Sequence, residues 1–484
     1  MSKNSSTWLS RLTKPVDLTE GVPWRVILRY AAPIMISYLL QQIYVLADAI
    51  ICGQVLSSDQ VAGVNDTFAL TFIVLQFAFG CTGGFSVITA NCVGRSDTHG
   101  VRRSLASQIY LTVVISAVLC ALSLGLLPFM LRMINVTPDN PAVYSAAYTY
   151  CFIIFLGIIA QMGYNLICGV LRAYGDSVTP LIFLVISTVL NVGLDILFLV
   201  PFRMGPAGAA IATVLAQLLS VVACLFYTFA RYRELRLTRE DLVPDFSSIA
   251  AHMRQGIPLG LQFSILAIGI IVMQGAVVMF DITPGGAMVA GTPAQNGFGA
   301  ATKLINLLMS LYNGLAAAIL GFNAQNYGRA DYGRIRRGTL QSLVIMLILF
   351  AFCLVVGLSM TIGGAYQYIF MSAEKISPES IRFGNSYIYV DILLYFVLGF
   401  LIVVRSAVQG ISRAGFILLA GISELFARIL ICAFMPAIVN GGPIDSGASH
   451  LAYIAVAFGD PGAWLVASIV LAVPLVRNIL REKY

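Results

Sequence analysis

The sequence predicts an all-α membrane protein of about twelve transmembrane helices, arranged as two pseudo-symmetric six-helix bundles. Three observations carry that expectation. Of 484 residues, 59% are hydrophobic and only 11% are charged, where soluble domains carry about a quarter charged. Apolar runs of roughly 20 residues, enough to cross about 30 Å of hydrocarbon, recur along the whole chain. A polar motif of the first half also returns in the second: Gly94, Arg95, Asp97, Arg102 and Arg103 match Gly328, Arg329, Asp331, Arg336 and Arg337 at a constant offset of 234.

The apolar runs are 26–52, 61–87, 105–127, 143–168, 181–200, 207–230, 257–280, 297–321, 340–362, 387–408, 416–439 and 463–480. They divide the chain into an N-terminal lobe over 1–230, a linker over 231–254 and a C-terminal lobe over 255–484. The linker is the longest charged interval in the sequence. An even number of helices gives each lobe the same orientation, so the lobes are related by an axis along the membrane normal, with a substrate path between them. A second repeat sets CGVLRAYG at 168–175 against QGISRAG at 409–415.

Basic residues set the orientation. Lys3, Arg11 and Lys14, the arginines of 95–103, 231–254 and 329–337, and Lys483 fall on one face, and only Arg132, Arg203, Lys375 and Arg382 on the other. By the positive-inside rule the rich face, with both termini, is cytoplasmic. The net charge of +7 is therefore an orientation signal, and no nucleic-acid partner is expected. No short apolar core is followed by a small-residue cleavage site, so the first helix is expected to serve as its own insertion signal. No GxxxxGK[ST] loop occurs, which argues against ATP as the energy source. The nine cysteines lack metal-ligand spacing and read as packing residues. His99, His252 and His450 read as loop residues, which leaves a membrane-embedded transferase or hydrolase without a base or a zinc site. Neither an enzyme nor a cofactor is expected.

Helix one carries a single polar stripe. Gln41, Tyr44 and Asp48 fall within an arc of about 60° at 100° per residue. An Asp near the middle of a membrane helix costs about 2.5–3.5 kcal/mol, and an ion or proton pathway is the usual reason to keep one. The alternative is a structural hydrogen bond to a neighbouring helix. Helix five carries Ser187, Asn191 and Asp195 at i, i+4 and i+8. Helix six opens with Gly205, Gly208 and several alanines, which allow close backbone approach, and offers the hydroxyl of Thr213. Counted at about 1.5 Å per residue, Asp48, Asp195 and Thr213 lie about 8–10 Å below the outer ends of their helices. Oxygen ligands from three helices thus reach one level. They suit either Na⁺ held by Asp48, Asn191, Asp195 and Thr213 or a proton shared between the acids; separate helix–helix hydrogen bonds are the alternative.

Taken together, YxxxD in helix one, LRAxGD after helix four, NxxxD in helix five, GxAGAAxAT into helix six and the six-plus-six repeat resemble the multidrug and toxic compound extrusion (MATE) transporters over nearly the whole chain. The resemblance implies a V-shaped pair of bundles and antiport of an organic, often cationic and amphipathic compound against H⁺ or Na⁺. By position, Gln41, Tyr44, Asp48, Asn191, Asp195 and Thr213 resemble the family's cation-coupling cluster. Pro33 resembles the proline at which helix one bends when that site changes protonation; an ordinary proline kink is the alternative.

Some members place the coupling site in the C-terminal lobe, with a glutamate on helix seven and an aspartate late in helix ten. Helix seven here has Gln262 and Gln274 but no acid, so that site is expected to be absent. The second half has other intramembrane charges. Lys303 and Asp391 lie about 10–12 Å below the outer surface by residue count, and Arg405, Glu424 and Arg428 lie deeper. They are expected to form structural ion pairs, the alternative being contact with a charged substrate. The rival function is a flippase for a lipid-linked saccharide, which needs a strongly cationic cavity. The expected partners are a small-molecule substrate and the bilayer, the expected state is a monomer, and the expected location is the bacterial cytoplasmic (inner) membrane.

Overall fold

The computed structural model describes residues 14–481; Lys3, Arg11 and Lys483, with the two chain ends read as cytoplasmic, lie outside the described residues. Among those described, regular structure is helical, and extended backbone pairs only at an isolated bridge between Ile282 and Met288. The first half holds α1 (Pro23–Val55), α2 (Ser58–Asp66), α3 (Phe68–Gly94), α4 (Thr98–Met133), α5 (Pro141–Leu156), α6 (Ile158–Ala173), α7 (Val178–Leu199) and α8 (Pro206–Arg231). The second holds α9 (Phe246–Val278), α10 (Pro293–Gly328), α11 (Tyr332–Thr361), α12 (Ala365–Phe370), α13 (Pro378–Leu393), α14 (Tyr395–Gly410), α15 (Ala414–Asn440), α16 (His450–Ala457) and α17 (Gly459–Pro474). Ten stretches are long and apolar enough to cross a membrane as they stand, and two bent pairs bring the number to twelve. The bent pairs are α5 with α6, at 43°, and α13 with α14, at 51°. They are the fourth span of each half, so the repeat extends to the break.

Local chemistry starts and stops these helices. Proline stands at the first turn of α1, α5, α8, α10 and α13, where its missing N–H has no intrahelical partner to lose. The repeated motif is a helix–turn–helix junction in both halves. Asp97 caps α4 by accepting from Gly100 N at 2.8 Å, and Asp331 caps α11 by accepting from Arg334 N at 2.9 Å. The residues just before them, Ser96 and Ala330, have φ of 59° and 58°. The second repeat aligns differently from its sequence match, which sets Arg172 opposite Arg413. The helix ends pair Gly175 with Ser412, both at positive φ, and Asp176 N→Leu171 O with Arg413 N→Val408 O, an offset of 237. Backbone turn geometry, not side-chain identity, is what repeats there.

The two halves meet closely at the end that carries the repeated arginines. A Cβ on Gly94 would stand 1.9 Å from Gln325 O, and one on Gly328 would stand 2.0 Å from Asn91 O. Those two contacts are each other's pseudo-symmetric image. Around them Gln325 donates to Ala173 O at 2.7 Å and Asn91 to Ser412 Oγ at 3.1 Å. Further along, Gly80 and Gly84 of α3 lie against Gly260 and Gly256 of α9, with backbone within 3 Å of each missing Cβ on α3. This is a glycine-spaced crossing of the kind that lets membrane helices touch backbone to backbone. Gly314 of α10 likewise receives Met35 of α1. Ser264 reaches Ile73 O at 3.1 Å, and the contacts named here all lie on the arginine-rich side of Met35 and Ile73.

A strap of residues 15–21 crosses this end. Val16 N donates to Gly175 O in the first half at 3.0 Å. Leu18, fully buried, gives its carbonyl to Asn326 Nδ2 at 3.0 Å and to Arg334 Nη2 at 3.1 Å in the second. Arg334 also donates to the carbonyls of Glu20 and Gly21, each at 2.6 Å. On the other side the interval 231–254 is held to α4 by Arg102–Asp241 at 3.0 Å and by the Arg103–Asp245 pair. That interval is not wholly linker, because Asp245 caps α9 through Ser247 N at 3.1 Å and the helix begins at Phe246. His252 is accordingly not a loop residue. It is buried in α9, with Nε2 at 2.8 Å from Ser104 Oγ and Nδ1 at 2.7 Å from Ser248 O. His99 and His450 stand in the first turns of α4 and α16.

Substituting Gly94→Ala should force the two halves apart at this end and lower the unfolding midpoint in detergent, at a cost of about 1–3 kcal/mol. Gly83→Ala on the same helix, where nothing lies within 4 Å of the new methyl, should leave the midpoint unchanged or raise it slightly.

Candidate functional site

Three helices of the first half place the polar stripes. Helix α1 packs on α7, and α7 on α8. Buried Gly208, Ala209, Ala210 and Ala212 on α8 let its backbone come close, so Thr213 reaches the stripe on α7. Asn191 Nδ2 lies 3.4 Å from Thr213 Oγ1, and the Tyr44 phenol meets the same hydroxyl. The carboxyls of Asp48 and Asp195 face one another within hydrogen-bonding reach. Asp195 is 0% and Asn191 1% exposed, while Asp48 is half-buried; access to the pair is therefore from the Asp48 side.

The site is notable for what does not reach it. Asp48 Oδ1, Asn191 Oδ1 and both oxygens of Asp195 are buried without a hydrogen-bond donor among the described residues. Two facing carboxylates repel unless something positive lies between them, and a proton or a hard monovalent cation supplies that. The oxygen-only donor set therefore fits either ion. One turn further toward the opposite end, Cys52, Leu199 and Ala209 form an apolar layer with Ile51, Leu56 and Tyr150 packed against it. Tyr150 of α5 stands beside Asp48 and Tyr44. The sequence reading missed it, since it lies in a tyrosine-rich run, 144–150, with no polar stripe of its own.

No hydrogen bond among the described residues ties Gln41 to Asp48, Asn191, Asp195 or Thr213. Gln41 lines a separate cavity with Ser37, Tyr38, Asn165 and Arg172, toward the arginine-rich end. Pro33 lies within α1, which continues through it, and Ser37 Oγ donates to Pro33 O at 2.9 Å. This is a local bond within the helix's own ladder.

In the second half the charges form a chain. Arg405 pairs with Glu424 at 2.5 Å, Glu424 with Arg428 at 3.5 Å, and Arg428 with Asp460 at 2.6 Å. Tyr387 closes it by donating to Asp460 Oδ2 at 2.8 Å. Asp460 was absent from the sequence reading. Lys303 and Asp391, at equal depth by residue count, do not pair: Lys303 is exposed and donates to Phe370 O at 3.4 Å. Asp391 is 0% exposed beside Asp460 and Tyr387, and neither of its oxygens receives a donor among the described residues.

Comparison with known proteins agrees with this architecture. The family model MatE matches residues 33–197. A probable multidrug resistance protein of Bacillus subtilis, YpnP, is 30% identical over 324 residues, spanning 66% of this chain and 69% of that protein. An FAD transporter of Shewanella oneidensis is 23% identical over 430 residues, 86% of this chain and 89% of the other. The solved outward-facing conformation of a multidrug resistance MATE family transporter of the MOP superfamily superposes with a TM-score of 0.82, covering 97% of this chain and 99% of that one at 20% identity. At that identity the superposition speaks for the fold, and the sequence relatives for descent. The chain belongs to the MATE family of multi-pass membrane transporters.

Proposed function

We propose that the chain is a secondary active antiporter that exports organic, cationic and amphipathic compounds in exchange for H⁺ or Na⁺. The observation that carries this reading is the facing pair Asp48 and Asp195, brought together from α1 and α7, of which Asp48 Oδ1 and both Asp195 oxygens have no donor among the described residues. An ion arriving between them removes their repulsion and draws the two helices together; its departure releases them. Movement of α1 is the route by which that change reaches the other half, since α1 packs on both α7 and α10. The name of the Bacillus subtilis relative supports drug export. The arginine-rich end is assigned to the cytoplasm of a bacterial cell and the protein to its cytoplasmic membrane. The protein would act as a monomer with a small-molecule substrate and the bilayer as its partners, without ATP, nucleic acid, cofactor or enzymatic step.

Energetics bound the exchange. If one proton enters for each monovalent cation that leaves, the pH gradient alone drives transport, at about 1.4 kcal/mol per unit. A second proton would add about 2.3 kcal/mol per 100 mV. The flippase reading asks for a cationic cavity, and it is weakened because Arg405 and Arg428 are neutralised by Glu424 and Asp460.

Dye efflux from energised vesicles tests the proposal. Asp48→Asn and Asp195→Asn should each reduce transport to background, whereas Asp391→Asn should keep most of it; full efflux by Asp48→Asn would refute the coupling role. Arg428→Ala should act through stability instead. It leaves Glu424 with Arg405 but strips Asp460 of its cation, at a cost of about 3–5 kcal/mol, read as a lowered unfolding midpoint of the purified protein.

A further inference from the structure

Arg172 closes α6 within the LRAxGD stretch, and neither the ion pairs nor the coupling cluster makes use of its charge. Its carbonyl accepts from the Tyr30 hydroxyl at 2.7 Å, which fixes the backbone. Its side chain is another matter. Nε is buried with no acceptor, and among the described residues no carboxylate pairs with the guanidinium. The groups that face it include the phenols of Tyr30, Tyr38 and Tyr164 and the thiol of Cys168, none of them a carboxylate. The guanidinium is half-buried and only partly hydrated, so an anion in the adjoining space would stabilise it.

The space for that partner is present. Arg172 lines a cavity of about 40 Å³ together with Tyr38, Gln41, Tyr164 and Asn165. Asn165 Nδ2 is a second buried donor without an acceptor. A cavity needs about 10–15 Å³ to admit one water, so this one admits a few waters or a single small ion. Its chemistry is the reverse of the Asp48 and Asp195 site: donors without acceptors, and a fixed positive charge. Charge-assisted hydrogen bonds from a guanidinium and an amide are the pattern that holds an anion.

We propose that Arg172 and Asn165 hold a small monovalent anion in this cavity, either a halide or the carboxylate of a small organic acid. The site is separate from the coupling cluster and does not depend on which cation drives transport. The anion neutralises Arg172 inside the first half and ties α6 to α1 through the Tyr38 hydroxyl, which lines the same space.

Thermal unfolding of the purified full chain in detergent tests this, in sodium chloride, sodium acetate and sodium gluconate at equal ionic strength and pH. Gluconate is too large for the cavity and serves as the reference. Chloride or acetate should raise the midpoint by about 1–2 °C over gluconate, and the salt that does so identifies the source of the anion. Arg172→Gln should erase the difference. Should that variant not fold, Asn165→Leu keeps the guanidinium, removes one donor, and should shrink the response. Equal midpoints in all three salts, or a salt response that is unchanged in the variant, would overturn the proposal. In crystals grown in sodium bromide, an anomalous peak between Arg172 and Asn165 is the expected direct sign, and its absence at full occupancy elsewhere in the lattice counts against the site.

Discussion

A carboxylate inside hydrocarbon has to be answered by another group, and guanidinium groups answer Glu424 and Asp460 in the second half but neither Asp48 nor Asp195 in the first. In the second half Glu424 and Asp460 are met by Arg405 and Arg428, with Tyr387 completing the chain. Such a chain sets a guanidinium against each of these acids, although Nε of Arg405 and of Arg428 is left without an acceptor among the described residues. In the first half Asp48 and Asp195 face each other beside an asparagine and a threonine, with no cation beside them among the described residues. One bundle therefore carries a chain of ion pairs with a donor-free Asp391 beside it, and the other a facing pair of acids, although their backbones repeat.

That contrast rests on backbones that come very close. The crossings of α3 with α9 and of Gly94 with Gln325 have no room for a Cβ, so they place rigid main chain against rigid main chain. Helices held that way at one end can change their separation at the other by pivoting, with little repacking of side chains. The glycine-spaced crossing lies beside a buried polar patch in which His252, Ser104, Thr89 and Gln108 bond to one another, and this patch fixes the register of α9 on α3 and α4.

Much of this was legible in the residues. The spans follow from apolar length, and polar periodicity with depth singles out Asp48, Asn191, Asp195 and Thr213, which the structure sets side by side. What escaped did so for physical reasons. Asp460 sits in GDPG, a sequence that looks like a turn, but Pro461 falls in the first turn of α17 where proline is tolerated. His252 lies in a charged interval whose helical character comes from the Asp245 cap rather than from apolar periodicity. Gln41 shares a helix face with Tyr44 and Asp48, yet the neighbours of α1 differ along its length, so one face serves two sites. Lys303 and Asp391 share a depth but not an azimuth, which residue counting does not supply.

The strap at the arginine-rich end imposes an order of events. Val16 is bonded to one half and Leu18 to the other, and two residues span at most about 7 Å when fully drawn out. The halves cannot separate there beyond that reach while both attachments last. One side must let go before any opening wide enough for a drug-sized molecule can form, which makes release of a short length of main chain, gripped by Arg334 through carbonyls and hence indifferent to most side chains, the earliest step of opening at that face.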